Sequence, residues 1–390
     1  MTVIIAAAPR WWEAVPVDVP QYADVPHLSQ VVPSLLGSLG VPGEARSLDL
    51  PEARSACVLL IDGLGWELLS QHAADAPVLT ELASRPLRVG FPSTTAAGVA
   101  AIGTGLASGE HGMVGYTFEV PGAGVLNALR WRSHDDGSDL RGALPPREVQ
   151  PLPTTFERAT AAGIEAAVVS SAHFANTALT QATQSGARYA GVHALGDLAA
   201  RTLEILSSRA FCYAYHSELD LLGHLYGPGS AAWRMQLRHV DRLVESIVED
   251  LPSGALLAVV ADHGMVTVEE KLNLEDTPEL LAGVRAFAGE VRARHVYAEP
   301  GATADVVAAW REVLGSRAWV LPRDEAIAAG WFGAAVTDRV RPRIGDVVAA
   351  ATGTFGMVRE LAEAVETNLI GQHGSLTTAE QLVPLAIAHG

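Results

Sequence analysis

The 390-residue chain is expected to fold as an α/β protein: a three-layer α/β/α sandwich around a mostly parallel central sheet, with a small α+β insertion. Three observations predict this. Short continuous apolar runs alternate with Ala- and Leu-rich helical stretches, the pattern of parallel strands covered on both faces. The residues are 49% hydrophobic and 18% charged, which lets a chain of this length bury a sizeable core. Between residues 269 and 344 the alternation runs at a shorter pitch.

Taken in order, residues 13–50 are rich in Pro, Val and polar side chains and read as an N-terminal wrap with one short helix near Leu28–Leu39. Strands then follow at ACVLLID, LRVGFPS, EAAVVSSA, AFCYAYHS and ALLAVVADHG, and a long helix at AAWRMQLRHVDRLVESIVEDL. The segments RARHVYAE, TADVVAAWREVLG and SRAWVLPRDEAIAAGWFG read as strand, helix and strand. They form the expected inserted subdomain, 269–344. Residues 1–268 and 345–390 then make the catalytic core, with the wrap at 1–50.

A formal charge of −17 excludes a basic footprint for a nucleic-acid polymer or an anionic membrane. A small phosphate ester remains admissible, because bound metal can reverse the sign inside a cleft. The opening MTVIIAAAPRWW lacks a basic leader, and Pro9, Arg10 and Trp11-Trp12 interrupt it, so neither a signal peptide nor a membrane span is expected. Cys57 and Cys212 each sit inside an apolar run and read as small core residues rather than a disulfide. A cytoplasmic location follows as the expectation.

Four short motifs fall at or just after strand tips, where open parallel sheets place ligands. They are Asp62 after ACVLLI, Asp220 and His224 in HSELDLLGHLYGP, Asp262-His263 in VVADHGM, and His373 in GQHG. Singly, an Asp there is an ordinary cap or turn former and a His an ordinary hydrogen-bonded residue. Together they offer three carboxylates and three imidazoles, a set suited to two Zn²⁺-like ions. Asp220 and His224, four apart, can face one ion from a single helical turn. In FPSTTAAGVAAIGTG a strand ends and an Ala/Gly-rich helix begins near Thr95, placing a hydroxyl beside free N–H groups. Thr94 and Thr95 both read as helix cap or nucleophile, and spacing does not choose between them.

The order IDGLG, FPSTT…GTGLASGEHG, DLLGHLYGP, ADHGM and GQHG resembles the alkaline phosphatase superfamily, most of all its nucleotide pyrophosphatase/phosphodiesterase branch. The likeness covers about Ala56–Met265 and Gly371 to the end. It implies an alkaline phosphatase-like fold and a phosphodiesterase that holds two Zn²⁺, with Mn²⁺ or another divalent ion as substitutes. Asp62, Asp262 and His263 would ligate one ion, and Asp220, His224 and His373 the other. Counting back nine from Thr104-Gly105, the resemblance selects Thr95 as nucleophile and metal-facing hydroxyl. His111-Gly112 fits a structural loop. Where phosphodiesterases carry an Asn for a phosphoryl oxygen, this chain has Tyr116, a substrate contact or a cleft-wall residue.

The mechanism so implied is in-line attack by Thr95 between two metals, then hydrolysis of the phosphothreonine, with net retention at phosphorus. A sulfatase is disfavoured because FPSTTAA lacks the C/S-x-P-x-R pattern. A phosphomonoesterase is the nearer alternative and would need an extra cation, for which Arg130, Arg132 and Arg188 are candidates. A catalytically inactive nucleotide-binding protein is the non-enzymatic alternative. The partner in every reading is a small phosphate ester.

Overall fold

The computed structural model describes residues 19, 20, 22 and 24–390. The first part of the wrap, including the MTVIIAAAPRWW stretch, lies outside the described residues. Seven strands form one sheet: β1 Ser55–Ile61, β2 Ala83–Arg88, β3 Glu165–Ser171, β4 Arg188–Val192, β5 Ala210–His216, β6 Ala255–Val260 and β7 Leu382–His389. Their order is β2-β7-β6-β1-β5-β3-β4. The five strands from β6 to β4 are parallel, while β7 runs antiparallel to both β6 and β2.

Helices cover both faces. On one side lie α1 Val31–Ser38, α2 Thr95–Thr104, α3 Thr155–Ala161 and α4 Ala178–Thr183, which contact one another. On the other lie α5 Leu195–Leu206 and the amphipathic α7 Ala231–Glu249, which contact each other, with α6 Glu218–Tyr226 packed against α7. All seven residues of β1 are buried, as a strand covered on both faces requires. Cys57 and Cys212 face each other in the β1–β5 register as free, buried thiols. Among the described residues no helix is long and apolar enough to cross a membrane.

Three expectations change at the margins. LRVGFPS does not make an interior parallel strand. Its strand starts earlier, at Ala83, and lies at the sheet's edge against β7. The second sheet, all antiparallel, is ordered Val284–Glu290, Ala293–Ala298, Val347–Ala351, Ala318–Pro322. It therefore runs past residue 344, because Val347–Ala351 fills the gap between two strands that would otherwise each show an open edge. The expected strand at SRAWVLPRDEAIAAGWFG stops at Pro322, and Arg323–Ala328 is helical with Asp324 and Glu325 in its first turn.

A buried ion pair ties residues 359–368 to this second sheet: Arg294 bonds Glu363 at 2.6 Å with both side chains almost fully buried. Burial alone would push Glu363 up, but Arg294, His134 and Arg359 hold it down at about 2. Its folded value lies below its ordinary one, so the stabilisation is present above pH ~4.5 and lost as pH falls towards ~2. Thermal melts from pH ~6 to ~2 are expected to show this acid limb, and Glu363→Gln to flatten it. An unchanged limb in that variant would place acid sensitivity elsewhere.

Candidate active site

The three central parallel strands β6, β1 and β5 end side by side, and the acids follow their C-terminal tips. The Asp62 amide donates to the His216 carbonyl at the end of β5, which draws the two tips together. Gly63 follows with φ +75°, and a Cβ there would lie 3.0 Å from the Asp220 backbone, so only glycine lets the chain turn away at this point. On α6, Asp220 and His224 sit one turn apart, with His224 Nε2 3.3 Å from Asp220 Oδ2. His373 arrives on Gly371–Gln372, a short strand paired with Val266–Thr267 just after the Asp262-His263 pair.

These six side chains form two neighbouring triads, Asp62–Asp262–His263 and Asp220–His224–His373, with the ligand atoms of each within 4.8 Å of one another. The His263 and His373 rings stack at 3.6 Å, so the triads adjoin. Each imidazole is oriented by a backbone carbonyl that accepts from Nδ1: Gly264 for His263, Ser93 for His373 and Gly371 for His224. All three therefore present a bare Nε2. Asp62 Oδ1, Asp220 Oδ1 and both oxygens of Asp262 are buried with no hydrogen-bond donor among the described residues. Orphaned carboxylate oxygens facing bare imidazole nitrogens fit divalent cations, whose charge would satisfy them.

The electrostatics agree with that fit. Burial, then Asp262 and Asp220, push Asp62 well above the usual carboxylate range, and burial raises Asp262 as well. Burial also acts against the charge on Asp220, but His224, with His373 and His263, outweighs it and holds the group low. Burial and His263 hold His373 well below the usual imidazole range. This is a pocket of acids that lacks enough positive charge of its own.

Thr95 opens α2, whose first-turn N–H groups face the same space. Its Oγ1 lies 3.3 Å from His263 Nε2. Thr94, at the cap position, is buried close to Glu290, a carboxyl that burial pushes up to about 8. The helix approaches the triad closely: a Cβ on Gly98 would stand 2.3 Å from the Asp262 Cβ. The Ala/Gly composition of α2 is thus what lets Thr95 reach the acids.

A cavity of about 370 Å³ opens beside Thr95, Asp62 and Asp220, walled by Phe174, Tyr189 and Tyr215. Tyr215 donates a short hydrogen bond from its phenol to Asp62 Oδ2, leaving Oδ1 as the free oxygen. Sequence reasoning did not single out Tyr215, although the alternation Phe211, Tyr213, Tyr215 along β5 marks one face of the strand that carries Asp220 beyond it. Tyr116 is half-buried and donates to Glu366 at 2.9 Å. His111 is buried, and its Nδ1 accepts from the Met113 amide, the expected structural use. Arg188 pairs with Glu165 at 2.8 Å, Arg132 donates to the Gly137 carbonyl, and Arg130 is exposed.

The model of the type I phosphodiesterase/nucleotide pyrophosphatase family matches residues 56–376. No match was found among curated proteins. Among solved structures, the murine ectonucleotide pyrophosphatase/phosphodiesterase 5, as an inactive Thr-to-Ala form in complex with AMP, is 17% identical with a TM-score of 0.66, covering 86% of this chain and 87% of that one. Phosphonoacetate hydrolase from Sinorhizobium meliloti 1021 in complex with phosphonoformate is 19% identical with a TM-score of 0.66, covering 87% and 91%. The human ectonucleotide pyrophosphatase/phosphodiesterase 5 is 16% identical with a TM-score of 0.64, covering 86% and 87%. At these identities the structural likeness shows a shared fold. The family match over residues 56–376 goes further: the chain belongs to the type I phosphodiesterase/nucleotide pyrophosphatase family of the alkaline phosphatase superfamily.

Proposed function

We propose that this phosphoric ester hydrolase is a two-metal phosphodiesterase with Thr95 as nucleophile. One observation carries the reading: the Thr95 hydroxyl lies 3.3 Å from His263 Nε2, within a double triad whose carboxylate oxygens lack donors. Asp62, Asp262 and His263 would hold one divalent cation, and Asp220, His224 and His373 the other, zinc being the choice the family suggests. Bound there, the cations would stabilise charge developing on the phosphoryl oxygens and lower the pKa of a hydroxyl beside them.

The chain's own groups supply the rest. Thr95 Oγ1 attacks phosphorus in line, the first-turn N–H groups of α2 face the charged equatorial oxygens, and the leaving alkoxide departs on the opposite side. The threonine proton leaves with that alkoxide; water then attacks the Thr95-linked diester by a second in-line step, releasing the phosphate monoester and restoring the hydroxyl, so configuration at phosphorus is retained. The inactive Thr-to-Ala form of the murine relative, crystallised with AMP, supports a threonine in this role.

The cavity lining supports a diester rather than a monoester. Among the described residues, no Lys or Arg lines it: Arg188 pairs with Glu165, Arg132 donates to the Gly137 carbonyl, and Arg130 is exposed next to the lining residue Leu129. Nothing there would balance the second charge of a monoester or the carboxylate of a phosphonoacetate-like compound. Tyr116, whose phenol donates to Glu366, is not among the residues that line the cavity. We further propose that the inserted subdomain, residues 269–344, is accessory to this core. With metal-loaded protein, an aryl phosphodiester is expected to be hydrolysed with kcat/KM at least about tenfold above its monoester, a gap of ~1.4 kcal/mol. The reverse preference would favour the monoesterase.

A further inference from the structure

A second cavity, of about 210 Å³, opens at the carboxyl end of the sheet, outside the two triads. It lies over the tip of β3, between Ser171, the start of α5 and the residues that close β5. The connections diverge here: β3 leads into α4 on one face of the sheet, whereas β4 and β5 lead into α5 and α7 on the other. Strand ends whose connections part in this way leave a crevice, the place where open parallel sheets take ligands. Phe174, Tyr215 and Ser217 line this cavity and also the one beside Thr95, so the two adjoin.

The polar lining is held in place by a buried imidazole. His216, the last residue of β5, is only 6% exposed. Its Nδ1 lies 2.7 Å from Glu218 Oε2, and its Nε2 lies 2.9 Å from the side-chain nitrogen of Gln236 on α7. The bond from His216 holds Glu218 below the usual carboxylate range. With the Nδ1 proton donated to Glu218, Nε2 accepts from the Gln236 amide, and the second oxygen of Glu218 and the oxygen of Gln236 are left to accept from a ligand. Donors share the lining: among the described residues neither the Ser217 nor the Ser171 hydroxyl donates to a partner, and no side chain caps the start of α5.

We propose that this crevice is a subsite for the second arm of the substrate, and that this arm is an uncharged, hydroxyl-bearing group about the size of one sugar ring. The inference rests on the phosphodiesterase reading above, since a diester carries two arms and the two cavities meet at Ser217. A hydroxyl both donates and accepts, so a polyol satisfies the carboxylate, the amide oxygen and the serines together. A hydrocarbon arm leaves those groups desolvated and unpaired. An anionic arm meets Glu218, and a cationic one meets the positive end of α5.

The test uses metal-loaded protein and two diesters of 4-nitrophenol that differ only in the second arm: methyl glucoside joined through its 6-hydroxyl, and cyclohexylmethanol. The leaving group is the same in both, so the ratio of kcat/KM, glucoside over cyclohexylmethyl, reads the second arm alone. The ratio is expected to fall about tenfold in Gln236→Leu and in Glu218→Ala, the loss of one hydrogen bond in each. An unchanged ratio in both variants overturns the subsite. Should Glu218→Ala disturb the start of α6, Gln236→Leu on the half-buried face of α7 reads the same ratio. Equilibrium binding of the two esters to metal-loaded Thr95→Ala, alone and combined with each subsite substitution, keeps the two readings apart. Turnover by Thr95→Ala refutes the nucleophile, whereas a preference for the glucoside ester in binding that survives both subsite substitutions refutes the subsite alone.

Discussion

Replacing Thr95 by Ala is expected to lower kcat on an aryl phosphodiester by at least about 10³-fold, the scale seen when a covalent nucleophile is removed. The metal content should stay at that of the wild type, because all six triad residues remain and Thr95 takes part in none of their hydrogen bonds except the long contact to His263. Folding should also be unaffected. Thr95 is half-buried at the first position of α2, where alanine is an excellent helix former. Thr94→Ala provides the contrast. Its side chain is buried close to Glu290 behind the site, so its loss is expected to act on stability more than on turnover. If Thr95→Ala turned over at the wild-type rate, water would have to attack directly, and an inverted product at phosphorus would confirm that alternative.

The second large effect concerns the acids at the strand tips. Asp62→Ala removes one carboxylate from a three-residue cluster and is expected to weaken one of two metal equivalents by more than about 100-fold, beyond what loss of an outer-shell partner costs. The equivalent held by Asp220, His224 and His373 should bind close to normally. Tyr215→Phe probes the same group more gently. It keeps the ring that walls the cavity and deletes only the phenol that fixes Asp62 Oδ2, so one equivalent should weaken by about 10- to 100-fold. Competition against a chromophoric chelator reads both variants without any assay of turnover. Two equivalents bound with wild-type affinity in Asp62→Ala would remove that residue from the metal site.

The apolar runs made the centre of the sheet legible, since a strand buried on both faces leaves continuous hydrophobic sequence, as in β1, β5 and β6. The edges were not. Arg188–Val192 of β4 is only partly buried and reads as no run at all, and LVPLAIAH of β7 carries Pro384, which argues against an interior strand. The structure accommodates that proline because Pro384 pairs across to Pro86 of β2, while β6 pairs only from Ala386 onward. The chemical groups were legible because their motifs fall at or just after strand tips and carry glycines. Their division into two triads needed the resemblance, and Tyr215, Glu218 and Gln236 needed the fold: nothing in one-dimensional spacing tells which side chains share a cavity.

The position of β7 has a bearing on how the chain reaches this state. It is the last strand in sequence, yet it lies between β2 and β6, so β2 can join the sheet only after some 290 intervening residues are in hand. His373, which completes the second triad, lies just ahead of it. Until that segment docks, β6 shows an unpaired apolar edge, a template for pairing between chains. Assembly should therefore be slow and its final step should couple closure of the sheet to closure of the metal centre, making cation supply during refolding a determinant of yield as well as of activity.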